Sequence, residues 1–164
     1  MVAPPLEIHR LPNRALKPLL VYRGVLPLEG DAAAACEDLF ERHGWGGGWR
    51  NGIFGYDHFH ATAHEVLGLV RGKVRVRFGG DGGIEVEVSA GDVMVIPAGV
   101  AHRNLGASRD LLVIGAYPGG QHPDRNLGTP DARALETVGG VALPAQDPVH
   151  GAGGPLLEAW ASAG

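Results

Sequence analysis

The chemistry of this chain is concentrated in three histidines and a glutamate, carried by two short segments. His58 and His60 are separated by one residue, Glu65 follows them, and His102 stands in the second segment. Side chains on a strand alternate faces with a period of two. His58 and His60 therefore share a face, one pleat apart. A glutamate just past the next turn and a histidine from a second hairpin can complete a cage for one divalent cation. Imidazole and carboxylate ligands suit iron, manganese, nickel, zinc or copper. A coordinating imidazole must be neutral, and its other nitrogen normally donates to a nearby acceptor. Four protein ligands leave room on the ion for water, substrate or dioxygen, as a catalytic metal requires. The competing reading is a metal-free pocket in which the same histidines are only polar lining.

Neighbouring residues are weighed against this set. His64 precedes Glu65, so alternation sends the two to opposite faces. A register shift of one would exchange them; otherwise His64 sits at the surface or behind the ligands. Tyr56, two residues before His58, is expected to point into the barrel, either toward a substrate or as filling of the floor. Gln121 and His122 follow the last barrel strand, in a stretch through Asp124 that can cover the mouth. Asp57 should face outward, and His9, His43 and His150 have no partner spacing.

The two segments match a family pattern. Gly52, His58, His60, Glu65 and Gly72 fill the first cupin motif, and Gly91, Pro97, Gly99 and His102 fit the second. One position departs: Asn104 comes two residues after His102, and Gly106 holds the usual asparagine place. The chain resembles the cupin superfamily. The stretches His64-Glu65-Val66-Leu67-Gly68 and Gly115-Ala116-Tyr117-Pro118-Gly119-Gly120-Gln121 look like the YjlB-like bacterial single-domain cupins. The resemblance implies an all-β fold: a single cupin barrel, the RmlC-like jelly roll or double-stranded β-helix. It implies metal ligands at His58, His60, Glu65 and His102. It supplies a fold and a site, not a reaction.

The composition agrees with one soluble domain. At 164 residues, 45% hydrophobic and 20% charged, the chain can build a single core. A net charge of −4 offers no nucleic-acid surface. Arg71, Lys73, Arg75 and Arg77 are the only basic cluster. No apolar run is long enough for a membrane span, and no signal peptide is expected. The single cysteine, Cys36, excludes an internal disulfide. It lies on an apolar helical stripe and reads as a buried structural thiol, and a cytoplasmic location is expected.

The elements that must position the site follow from periodicity and turn chemistry. Residues 1–50 hold two edge strands, Glu7 to Leu11 and Leu19 to Arg23, and one helix. Asp31 is its N-cap, Ala32, Ala35, Cys36, Leu39 and Phe40 its buried stripe, and Gly44 its end. Trp45 and Trp49, flanking Gly46 to Gly48, read as anchors of that helix on the barrel wall, the alternative being that one of them lines a pocket mouth. Residues 51–117 form the barrel, with strands expected at Ile53–His60, Glu65–Val70, Val74–Phe78, Ile84–Val88, Val93–Ile96, Ala101–Leu105 and Leu111–Tyr117. Gly79 to Gly83 is a hairpin turn. Such spacing suits a double-sheet jelly roll. Residues 118–164 lack periodicity and are expected to wrap the barrel as a tail.

The expected function is that of a divalent-metal-dependent cupin acting on a small molecule, with dioxygenase and isomerase chemistry among the possibilities. The alternative is a non-catalytic, metal-containing cupin that binds a sugar or organic acid. Unpaired edges of the N-terminal strands suggest a homodimer.

Overall fold

The structure is a computed structural model that describes residues 5–161. Two antiparallel sheets face each other. The strands are β1 (Leu6–His9), β2 (Leu19–Tyr22), β3 (Trp45–Asn51), β4 (His58–Phe59), β5 (Glu65–Arg71), β6 (Lys73–Phe78), β7 (Ile84–Ser89), β8 (Val93–Ile96), β9 (His102–Ala107), β10 (Leu112–Pro118) and β11 (Asn126–Leu127). One sheet runs β1-β2-β8-β5-β10-β3 and the other β11-β4-β9-β6-β7. This is the expected jelly roll.

Alternation along the strands builds the space between the sheets. In β6, Val74, Val76 and Phe78 are buried, while Lys73 and Arg75 are exposed. Arg75 and Arg77 lie opposite Glu87 and Glu85 of β7, so the basic cluster is largely balanced on the outer face. The inward residues join Leu67, Leu69, Met94, Ile96 and Val113 in the core between the sheets.

A second core lies on the outer face of the six-stranded sheet. Helix α1 (Ala32–Arg42) begins at Asp31, whose side chain accepts from the Ala34 N–H at 3.1 Å. Its Cys36 and Phe40 pack there with Trp45, Val66, Ile114, Leu156 and Trp160. Burial raises the Cys36 thiol to about 12, with the charge of Glu37 adding to the effect. It is an inert structural thiol.

Three expectations change. The first barrel strand is not Ile53–His60. Only His58–Phe59 pairs there, and the glycine-rich stretch before it forms β3, along β10. The Phe54 carbonyl instead accepts from the Asn104 N–H at 2.9 Å, which fixes residues 52–57 as a rim between two strands. β2 is an interior strand, since β8 pairs with its other side. The helix count also rises, because the tail carries α2 (Ala132–Gly139) and α3 (Pro155–Ala161) besides β11. Asp131 caps α2 by accepting from the Ala134 N–H at 2.8 Å. Trp160 of α3 is fully buried, and its Nε1–H donates to the Pro18 carbonyl at 3.0 Å.

Candidate metal centre

Both sheets contribute to the site. His58 of β4 and His102 of β9 are direct cross-strand partners, with ring centroids 4.1 Å apart. His60 lies one residue beyond β4, on the same face as His58. Glu65 opens β5 in the opposite sheet. The Pro97-Ala98-Gly99 turn aims His102 inward. Gly99 has φ +89° and donates to the His60 carbonyl at 2.8 Å, so a turn that favours glycine ties the two histidine segments together.

The histidine nitrogens divide into two sets. His58 Nδ1 contacts the Tyr56 carbonyl at 3.2 Å, and His102 Nδ1 contacts the Val100 carbonyl at 3.0 Å. His60 Nδ1 contacts the Asp124 carbonyl. A carbonyl only accepts, so each Nδ1 must carry a proton and donate it. In the neutral rings every Nε2 is then left as a lone pair. One ligand nitrogen from each of the three rings lies within 4.8 Å of the others, so the group could hold a metal ion.

Glu65 is placed against this cluster. Its Oε1 stands 3.4 Å from His60 Nε2 and 3.2 Å from His102 Nε2. This oxygen is buried, yet it has no hydrogen bond. With both facing nitrogens unprotonated, Oε1 meets only acceptors. Such a group is costly to bury without a cation or a shared proton. The site's titration reflects the same demand. Burial disfavours the proton of His60, but the Glu65 carboxylate outweighs it and raises the ring above its usual value. Burial also opposes the Glu65 charge, but the His102 and His60 rings hold that carboxyl well below its usual range. Burial, assisted by His102, lowers His58 to about 4, so it is neutral at neutral pH.

Above the cluster opens a cavity of about 480 Å³. Trp49, Ile53, Phe54 and Leu67 supply apolar wall; Asn51, Tyr117, Asp124 and Arg125 supply polar groups. The sequence reading missed most of these. Trp49 lines the cavity, as the alternative for one of the two tryptophans had it, and Trp45 is buried against α1 as a helix anchor. Trp49 Nε1–H donates to the Tyr117 hydroxyl at 2.8 Å. Burial, and then the charge of Glu65 beside it, raises the Tyr117 pKa. The alternation of β10, which buries Tyr117 near Glu65, was the signal available.

The other predicted residues lie elsewhere. Tyr56 is 40% exposed and stacks on Phe54 with centroids 5.0 Å apart, outside the cavity lining. Its expected inward direction fails because residues 52–57 are not strand, so alternation does not reach it. His64 is on the far face from Glu65, as alternation requires, but it is buried and not at the surface. Its ring centroid is 4.7 Å from that of Trp160, and its Nδ1 accepts from the Ala98 N–H at 2.9 Å. It thus holds the turn that aims His102. Burial, with the charge of Lys17, lowers it to about 4. Gln121 Oε1 accepts from the His64 N–H at 3.0 Å, and the His122 carbonyl accepts from the Thr62 hydroxyl at 2.7 Å. These two brace the site from outside, and Asp124 and Arg125 reach the cavity in their place. Asp57 pairs with Arg77 at 2.8 Å. The displaced Asn104 fastens the cavity rim, its Nδ2 donating to the Ile53 carbonyl at 3.3 Å.

Comparison with known proteins places the chain in a family. A cupin-domain family profile matches residues 50–114. The Bacillus subtilis (strain 168) protein YjlB is 42% identical over 153 residues, covering 92% of this chain and 90% of its own. The chain is also similar to the Legionella pneumophila epimerase RmlC, solved with dTDP-4-keto-L-rhamnose, at 15% identity, 79% and 81% coverage and a TM-score of 0.48. Similarity to the Bacillus anthracis acireductone dioxygenase, solved with cadmium, is 20% identity over 56% of this chain and 63% of that one, with a TM-score of 0.42. The 42% identity to YjlB over nearly the full length of both chains, together with the cupin-domain match, shows that this chain belongs to the YjlB-like cupins.

Proposed function

We propose that this protein is a divalent-metal-dependent cupin that acts on a small molecule in the cavity, with His58, His60, Glu65 and His102 as the metal ligands. The carrying observation is the buried Glu65 Oε1, without a hydrogen bond and facing two ring nitrogens whose partner nitrogens are committed to carbonyls. A divalent ion held there supplies Lewis acidity or, as iron, a seat for dioxygen. The chain's own residues do the rest. The three carbonyl contacts fix the imidazole tautomers and ring directions. Tyr117 presents a phenolic hydroxyl on the cavity wall, beside Glu65. Trp49, Ile53, Phe54 and Leu67 exclude water from one side of a bound molecule.

A cavity of this size, open to solvent above the ligand cluster, supports turnover of a small molecule, with dioxygenase or isomerase chemistry as the two classes to test. The experiment is elemental analysis of tag-free protein, followed by a substrate screen with and without dioxygen. Stoichiometric metal with turnover is expected. Stoichiometric metal with binding of a sugar or organic acid, but no turnover, would make it a non-catalytic cupin. Protein that takes up none of iron, manganese, nickel, zinc or copper would overturn the proposal. We also propose a homodimer, supported by β1 as the terminal strand of its sheet. A monomer in sedimentation velocity at micromolar concentration would overturn that.

A further inference from the structure

The cavity has an uneven charge inventory. Arg125 is its only lysine or arginine. The guanidinium carbon lies 5.4 Å from the centroid of the Phe54 ring, which is itself cavity wall. Among the described residues Arg125 has no ion-pair partner. The neighbouring Asp124 carboxylate does not neutralise it at close range, being committed elsewhere. Asp124 Oδ1 accepts from the Ala61 and Thr62 N–H groups at 2.7 and 3.2 Å, and Oδ2 accepts from Asn126 Nδ2 at 2.9 Å. The remaining acid in the lining, Glu65, is buried at the floor among the histidines.

We propose that the cavity takes a small organic carboxylate and that Arg125 is the residue that reads its charge. This rests on the metal-centre reading above and names its substrate class. An arginine held over an aromatic face keeps its donor edge free for an in-plane, two-point contact with a carboxylate. A single guanidinium matches a monoanion. A phosphate carries up to two charges and usually meets a nest of backbone N–H groups. The glycine-rich turn Gly79–Gly83 is the segment most like such a nest, and it is not part of the cavity lining. The walls of Trp49, Ile53, Phe54 and Leu67 suit a short carbon body behind the carboxylate.

The test uses full-length protein, metal-free and loaded with cobalt(II), with cobalt content measured separately. Pyruvate, lactate, malonate and benzoate are titrated by calorimetry, alongside the neutral amides pyruvamide and lactamide and inorganic phosphate. At least one carboxylate should bind more tightly than the amides and phosphate. Arg125→Gln should weaken that carboxylate about tenfold or more, as expected for a lost charge-assisted contact. Arg125→Lys should recover part of the loss, and both variants should bind cobalt as the parent does. Amides binding as well as carboxylates, tighter binding of phosphate, unchanged affinity in Arg125→Gln, or no response to any carboxylate would each overturn the inference. Failure to take up cobalt would instead count against the metal centre, and the metal-free titrations would still decide the role of Arg125.

Discussion

Trp49 donates its indole N–H to the Tyr117 hydroxyl at 2.8 Å, across a gap that only the glycine at 115 leaves open. A Cβ at Gly115 would lie 2.2 Å from Trp49 Cε2. The indole therefore lies flat on β10, and the glycine is what lets it reach the tyrosine. Tyr117 in turn stands beside Glu65, so the wall of the cavity is coupled to its floor.

Gly115→Ala should displace the indole and destabilise the fold by about 2 kcal/mol, as overpacking of a close contact does. Urea unfolding measures this. The same substitution in a Trp49→Ala background should cost much less, giving a coupling energy in a double-mutant cycle. Equal costs in the two backgrounds would show that Trp49 is not what the glycine accommodates.

The ligand set is tested by substitution and metal analysis. His60→Ala should abolish stoichiometric metal while the circular dichroism spectrum is kept, because the core between the sheets is built from other residues. Glu65→Gln should lower affinity by an order of magnitude or more, following the loss of a charged ligand. His64→Ala should retain the metal, since its ring faces Trp160. Metal lost in His64→Ala but kept in Glu65→Gln would mean that the two residues exchange roles.

Much of this was legible in the sequence, for local reasons. Period-two alternation sent His64 and Glu65 to opposite faces, and turn chemistry at Pro97 to Gly99 placed His102. Tyr56 failed because alternation was carried across Gly55 through a segment that does not form a strand. The strand at Trp45–Asn51 was hidden by its glycines, which carry no periodicity of their own. They are there because β3 lies close against β10: a Cβ at Gly48 would come 2.6 Å from the Gly115 carbonyl oxygen. The stretch through Asp124 was expected at the mouth, but Arg125 and the way that stretch is held were not legible. Asp124 and Arg125 reach the cavity because the Asp124 carboxylate clasps the Ala61 and Thr62 N–H groups, a contact between residues distant in sequence.

Acid should weaken the metal-free protein in a defined window. His58 and His64 are both lowered to about 4 from 6.5, chiefly by burial. Unfolded chains take up these protons near 6.5, while the folded protein resists until about 4. Stability should therefore fall as pH drops from 6.5 to 4, with these two groups adding no further slope below that. His60 works the other way: its raised value contributes stability that is full below 6.5 and is lost as pH rises from there through the higher folded-state value. Urea midpoints measured across this range test the sum. His64→Gln should flatten the decline, and an unchanged decline would mean that His64 is not its source.

The tail should be held mainly by one buried carboxylate. Asp147 has no exposure, yet four groups converge on it. Tyr22 donates its hydroxyl, and the N–H groups of Val149, His150 and Leu156 donate at 2.8, 3.0 and 3.1 Å. Tyr22 belongs to β2 and Leu156 to α3, so this side chain joins the six-stranded sheet to the last helix. Asp147→Ala strands all four donors in a buried place, at a cost of about 3 kcal/mol or more. Asp147→Asn keeps the volume but replaces one acceptor with a donor, so it should lie between that variant and the parent. The loss should appear first at α3, as faster hydrogen exchange around Trp160, while the metal binding proposed for the cluster of His58, His60 and His102 is unchanged. Uniform loss of protection across both sheets at once would mean that Asp147 supports the whole barrel and not the tail alone.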